Sequence, residues 1–213
     1  MLVSVHVPKC GGISFQHVLR GIFGKKLWLN YGAFTGREGA RYELIPRGTL
    51  CVHGHFKADT FDDLVPQPEL VTWFRHPVDR VVSAYYHFLR HDEPGNASWR
   101  ALTERGLSLE QFAELEGMRN EAAQFLAGKP LSSFRFVGVM ERYVDSLRLF
   151  GEAFGVRVPA VPPLENVNPR RVTDHYPISR STYDHILALN SRDLVLYEAA
   201  LAGLREAAAD RLG

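Results

Sequence analysis

Apolar and polar positions follow two periods along the chain. Val3, Val5 and Val7 form a short β-branched run that Pro8 and the Gly11-Gly12 pair interrupt, which predicts a buried strand ending in a tight turn. Phe15, Val18, Leu19, Ile22 and Phe23 then recur at the spacing of an apolar helix face, with Gly24 as its stop. Leu50-Cys51-Val52 and Leu70-Val71-Thr72-Trp73-Phe74 are apolar runs of strand length, and the polar residues at their ends include His53, His55 and Arg75. Pro77 fits the first turn of a helix with Val78, Val81, Val82, Tyr85, Phe88 and Leu89 on its apolar side and Arg80, Ser83 and His87 on another.

The stretch 91–106 is polar, contains Pro94-Gly95-Asn96 and keeps no period, so it reads as a surface loop or lid. Ser108 with Gln111 offers a capping box for a helix through about Glu116, and a short helix from about Asn120 ends at Gly128. Phe136 to Met140 is a strand candidate. The helix after it should turn Val144, Leu147 and Phe154 inward and stop at Gly155. Residues 158–169 hold four prolines and read as an extended connector, followed by two helices capped near Ser179 and Ser191. Strands alternating with helices predict an α/β fold, three layers with a parallel central sheet flanked by helices, in a single domain over 1–213.

Composition narrows the classes. A hydrophobic content of 46% can bury a sizeable core, and 25 Lys and Arg against 24 Asp and Glu leave no bulk charge to attract nucleic acid or an anionic membrane. Any anion site must therefore be local. The two cysteines, Cys10 and Cys51, form neither a disulfide framework nor a zinc site, which favours a reducing compartment. With no basic leader and no apolar stretch long enough to span a bilayer, the expectation is a cytoplasmic protein without stable membrane insertion.

Two segments carry chemistry. In His6-Val7-Pro8-Lys9-Cys10-Gly11-Gly12-Ile13-Ser14 a strand breaks into glycines and opens a helix, which gathers unpaired N–H groups and the positive helix end at one spot suited to an anion. Lys9 adds a point charge and Ser14 a hydroxyl. The lysine precedes the glycines and no GKS/T ending comes after them, so this is not a Walker A loop. In Trp73-Phe74-Arg75-His76-Pro77-Val78-Asp79-Arg80-Val81-Val82-Ser83-Ala84-Tyr85, an arginine fork at a strand end and a serine two turns into the helix can converge on a second phosphate. The bland readings are a plain glycine turn with a solvated lysine, and an arginine paired to Asp79.

Together these segments resemble the two phosphate-binding motifs of the sulfotransferases that use 3′-phosphoadenosine-5′-phosphosulfate (PAPS), which read close to PKTGGTS and RDPxxRxxSxY. Cys10, Ile13 and His76 depart from that pattern, while Lys9, Gly11, Gly12, Ser14, Arg75, Pro77, Arg80, Ser83 and Tyr85 keep it. Val52-His53-Gly54-His55-Phe56 is similar to the HGH segment of the heparan sulfate and dermatan or chondroitin 2-O-sulfotransferases. Weaker likeness continues through Arg119 to Gly128, Val137 to Tyr143 and Asp193 to Glu198.

The resemblance implies a P-loop nucleotide-hydrolase-like sulfotransferase fold and PAPS as co-substrate, with PAP, the desulfated product, and no metal. The acceptor it implies is a hydroxyl of a carbohydrate or glycolipid. The donor would be held by Lys9, Cys10, Gly11, Gly12, Ile13, Ser14, Arg75 and Ser83, with Arg170, Arg171 and Thr173 from a closing loop. His53 is the expected general base, His55 its helper or an orienter of the acceptor, and Lys9 the stabiliser of departing charge. Two other classes stay open, an ATP-dependent small-molecule kinase and a non-catalytic nucleotide-binding module.

Overall fold

The computed structural model describes residues 1–32, 45–159 and 176–209. Five strands, β1 (Leu2–Val5), β2 (Leu27–Leu29), β3 (Cys51–Gly54), β4 (Glu69–Phe74) and β5 (Phe134–Val139), form one parallel sheet in the order β2-β3-β1-β4-β5. All four residues of β1 and of β3 are buried. Since alternate side chains of a strand point to opposite faces, burial throughout means that both faces of the sheet are covered. The expected three-layer α/β architecture is what the chain adopts.

Helices connect and cover the strands: α1 (Gly12–Phe23), α2 (Pro77–Phe88), α3 (Ala97–Arg105), α4 (Leu109–Ala113), α5 (Glu121–Leu126), α6 (Tyr143–Phe154), α7 (Arg180–Leu189) and α8 (Ser191–Ala209). One apolar cluster lies around the sheet and includes Val3, Phe15, Leu19, Val52, Val71, Trp73, Leu147 and Phe150. A second, built on Val78, Val81, Val82, Phe88, Leu102, Phe112 and Ile186, joins α2 to α3, α4 and α7. No helix among the described residues is long and apolar enough to cross a membrane.

Local signals set most boundaries. Gly24 ends α1, Pro77 begins α2, and the Ser108–Gln111 capping box starts α4 with both reciprocal bonds in place. Two expectations are corrected. The polar stretch 91–106 is not an open loop, because Asn96 caps α3 by accepting from the Ser98 and Trp99 N–H groups at 2.9 and 3.2 Å. Leu102 is its one fully buried residue, too little to leave an apolar period in the sequence. Val144 is 59% exposed rather than inward, since the core face of α6 runs through Tyr143, Ser146, Leu147 and Phe150. The half-buried edge strand β2 had no pattern to announce it.

A buried charge cluster fastens α2 to distant chain. The Arg80 guanidinium, 1% exposed, bonds to the Glu121 carboxylate, to the Met118 carbonyl at 2.6 Å and to the Asn190 side chain at 3.4 Å. Asp193 lies 3.9 Å from Arg80 and accepts the Ala122 and Ala123 N–H groups that open α5. Asn120 in return accepts the N–H groups of Arg192 and Asp193 in the first turn of α8. Burial pushes the Glu121 carboxyl up to about 7 against the pull of Arg80. Arg80→Ala would strand two buried carboxyl groups and should destabilise the protein by about 3–5 kcal/mol, measured by urea denaturation.

Candidate active site

The strand order puts a topological switch point between β1 and β4. After β1 the chain moves to one side, building β2 and β3, and after β3 it crosses β1 to build β4 and β5 on the other. In open α/β sheets, ligands bind outside the carboxyl ends of the strands at such a point. The Lys9 loop leaves β1 there, and Arg75 comes directly after β4.

The loop is tightly curled. Lys9 and Gly11 both have positive φ, 65° and 79°, and the Cys10 N–H donates to the Val7 carbonyl at 3.3 Å. A lysine in the left-handed region costs about 1 kcal/mol or more, which the surroundings must enforce. A Cβ on Gly11 would strike the Met140 sulfur and one on Gly12 the His6 imidazole, so both positions require glycine. The first turn of α1 has no side-chain cap and no acidic residue, and its positive end faces the loop.

Arg75 reaches the same place. One of its guanidinium nitrogens donates to the Lys9 carbonyl at 3.4 Å, and its carbon lies 5.8 Å from the centre of the Tyr176 ring. Among the described residues neither Lys9 nor Arg75 forms an ion pair with a carboxylate. Burial and the neighbouring Arg75 charge lower the Lys9 ammonium to about 8. The two positive charges disfavour each other, and an anion between them would relieve that.

The other expected donor-site residues divide by burial. Ser14 is buried at the start of α1, Ser83 lies on α2, and Ile13 is 37% exposed beside the loop. Cys10 is buried, and burial raises its thiol to about 12. Arg170, Arg171 and Thr173, together with most of the 158–169 connector, lie outside the described residues. No group of three metal-binding side chains is found among the described residues.

The two histidines of the His-Gly-His segment differ in their surroundings. His53 is 1% exposed; its Nε2–H donates to the Gly12 carbonyl at 3.2 Å, and its Nδ1 accepts from the Ser4 hydroxyl at 2.8 Å. Both ring nitrogens are engaged internally, burial lowers its pKa to about 3, and the ring braces β3 against β1 and α1. His55, two residues on and partly exposed, donates Nδ1–H to the His6 carbonyl at 2.8 Å, so its lone pair is on Nε2. Burial lowers His55 to about 4; the His6 carbonyl and Glu93 pull it up, and Lys9 pushes it down.

Further residues shape the site. His6 stacks between His53 and His55, with ring centroids at 5.1 and 4.3 Å, and its Nδ1 meets the Tyr31 hydroxyl at 3.2 Å. Glu93 pairs with half-buried His87 at 2.7 Å and acts electrostatically on both Lys9 and His55. Glu141 accepts the His76 N–H at 2.9 Å and so steadies the turn between Arg75 and α2. His6 opens the segment that carries Lys9, and Glu141 falls in the Val137 to Tyr143 segment, whereas Glu93 had no pointer.

With this geometry in view, the chain superposes on a sulfotransferase from Alicyclobacillus acidocaldarius with a TM-score of 0.55, over 96% of this chain and 98% of that one, at 18% identity. This is the sulfotransferase fold. A mouse sulfotransferase, SULT7A1, complexed with PAP, matches 74% of this chain and 58% of its own at 15% identity; its TM-score of 0.40 is too low to define a shared fold. No described protein family matches the sequence. No curated protein is similar to it.

Within the sulfotransferase fold Gly54 has a constrained place between the two histidines, because a Cβ there would run into the Asn30 carbonyl. Neither backbone can yield easily. Gly54→Ala should therefore destabilise the protein by about 3 kcal/mol, read as a lowered denaturation midpoint with an unchanged m-value.

Proposed function

We propose that the protein is a sulfotransferase that moves the sulfuryl group of PAPS to a hydroxyl of a carbohydrate or glycolipid. The observation that carries this reading is the convergence of Lys9 and Arg75, without carboxylate partners among the described residues, beside the uncapped start of α1. A donor bearing phosphate at both ends suits that pair: Lys9 with the α1 N-terminus at the phosphosulfate, Arg75 with Ser83 at the second phosphate. A 2-O-sulfotransferase-like acceptor is favoured by the His-Gly-His segment.

PAPS supplies an activated sulfuryl group, and the chain's residues position it and manage charge and proton. Lys9 and the helix start face the phosphate oxygen that gains charge as its bond to sulfur breaks. His55 Nε2 takes the acceptor's hydroxyl proton as the new oxygen–sulfur bond forms. His53 keeps its sequence neighbour in place through Ser4 and Gly12. The base is thus reassigned from His53 to His55 because the former spends both of its ring nitrogens on Ser4 and Gly12.

With labelled PAPS and the acceptor found in a glycan library, His55→Ala should lower kcat by about 10²–10⁴ while PAP binding persists; unchanged kcat would remove the assignment. The base must be neutral to act, so a pKa lowered to about 4 moves the acid limb of the kcat profile well below the ordinary histidine value of about 6.5. Arg75→Ala should weaken PAP binding by roughly tenfold to a hundredfold. Titration calorimetry with PAP against magnesium ATP separates a sulfotransferase from a kinase.

Lys9 provides a further check. A bound anion raises an ammonium whose pKa is lowered to about 8. At about pH 8.5, PAP binding should therefore draw in a proton, seen as a dependence of the heat on buffer ionisation enthalpy, and Lys9→Arg should abolish that component.

A further inference from the structure

Three imidazoles stand in one stack at the end of β1 and β3, and their hydrogen bonds make them unequal. His53 donates through Nε2 to Gly12 and accepts Ser4 at Nδ1, so it has no lone pair to offer. His6, the middle ring, has a different restraint. The Tyr31 hydroxyl donates its single proton to the Gln16 side-chain oxygen at 3.0 Å, and its oxygen must then accept from His6 Nδ1–H at 3.2 Å. That leaves the His6 lone pair on Nε2, in the ring edge packed against Gly12. The positive end of α1 lies there and opposes a proton at that atom. His55, with Nδ1–H bound to the His6 carbonyl, has its lone pair on Nε2 and a partly exposed ring.

We propose that Gln16, Tyr31 and His6 form a positioning chain that locks the His6 tautomer and directs the single proton the histidine stack can hold to His55. The inference rests on the reading of His55 as the base, but the chain of bonds exists independently of which donor binds. Stacking distances of 4.3 and 5.1 Å mean that a second positive ring would be repelled strongly, so the first proton excludes the others. Among the described residues, the titratable groups that act on His55 include His6 from the end of β1, His53 from β3, Lys9 from the loop, Tyr31 edge-on at 4.9 Å from beyond β2, and Glu93 from beyond α2. Lys9 disfavours and Glu93 favours the protonated form, and neither distinguishes the tautomers as the chain does.

Gln16 is partly exposed on α1, and alanine is a good helix former, so Gln16→Ala tests the chain without threatening the fold. Once the amide oxygen is gone, the Tyr31 proton can turn to His6 Nδ1 and force the proton of His6 onto Nε2. Nitrogen-15 spectra of the histidine rings at neutral pH should show protonated Nδ1 in both His6 and His55 of the wild type. In Gln16→Ala the His6 pattern should change to protonated Nε2, and Gln16→Glu, which keeps an acceptor, should restore it. On acidification His55 should titrate first and alone in the wild type. In Tyr31→Phe, His6 and His55 should share the first proton and shift together. A wild-type His55 protonated on Nε2 at neutral pH, or a His6 pattern unaffected by Gln16→Ala, would overturn the proposal. Calorimetric titration of the same wild-type sample with PAP reports separately on the donor: absence of binding would remove the sulfotransferase reading and leave the tautomer result to stand or fall by itself.

Discussion

The parallel pairing of β1 with β3 on one side and β4 on the other is the constraint on which the site depends. Val3 lies opposite both Val52 and Leu70, and Val5 opposite both Gly54 and Thr72. β1 and β3 therefore end level, β4 runs two residues further, and the Lys9 loop, the second histidine and Arg75 all come after neighbouring strand ends. A one-residue slip in either ladder would turn every side chain of that strand to the opposite face and separate the groups that converge here. Thr72 ties the centre further by donating its hydroxyl to the Val5 carbonyl at 3.0 Å.

The features legible in the sequence were local in origin. A proline that starts α2, a glycine that ends α1 and a serine–glutamine box that opens α4 each act within a few residues, so their signals are contiguous. The glycine turn after β1 and the Arg75-to-Pro77 turn before α2 were legible for the same reason. Elements held by distant partners were not. Helix α3 depends on the Asn96 cap and one buried leucine, and β2 borrows its order from β3. Arg80 is a familiar motif position, but its partners Glu121 and Asp193 come from remote parts of the chain, which no spacing rule connects.

The choice between His53 and His55 shows the same limit in chemistry. Alternation places residues two apart on one side of an extended segment, which makes the two rings equivalent on paper. They differ because the first still belongs to a buried strand beside Ser4, whereas the second lies past the glycine at its end. Burial also gave His6 a role that its place before the loop did not suggest, since the chain from Gln16 through Tyr31 only closes when α1 and the residue beyond β2 come together.

The thiol in the loop has an implication for how the protein weathers chemical stress. Peroxides and alkylating agents react with thiolates, and Cys10 is both enclosed and shifted far from ionisation at cellular pH. A sulfhydryl one residue from Lys9 therefore behaves as a small apolar filler. Swings in the redox state of the surroundings leave this glycine turn untouched.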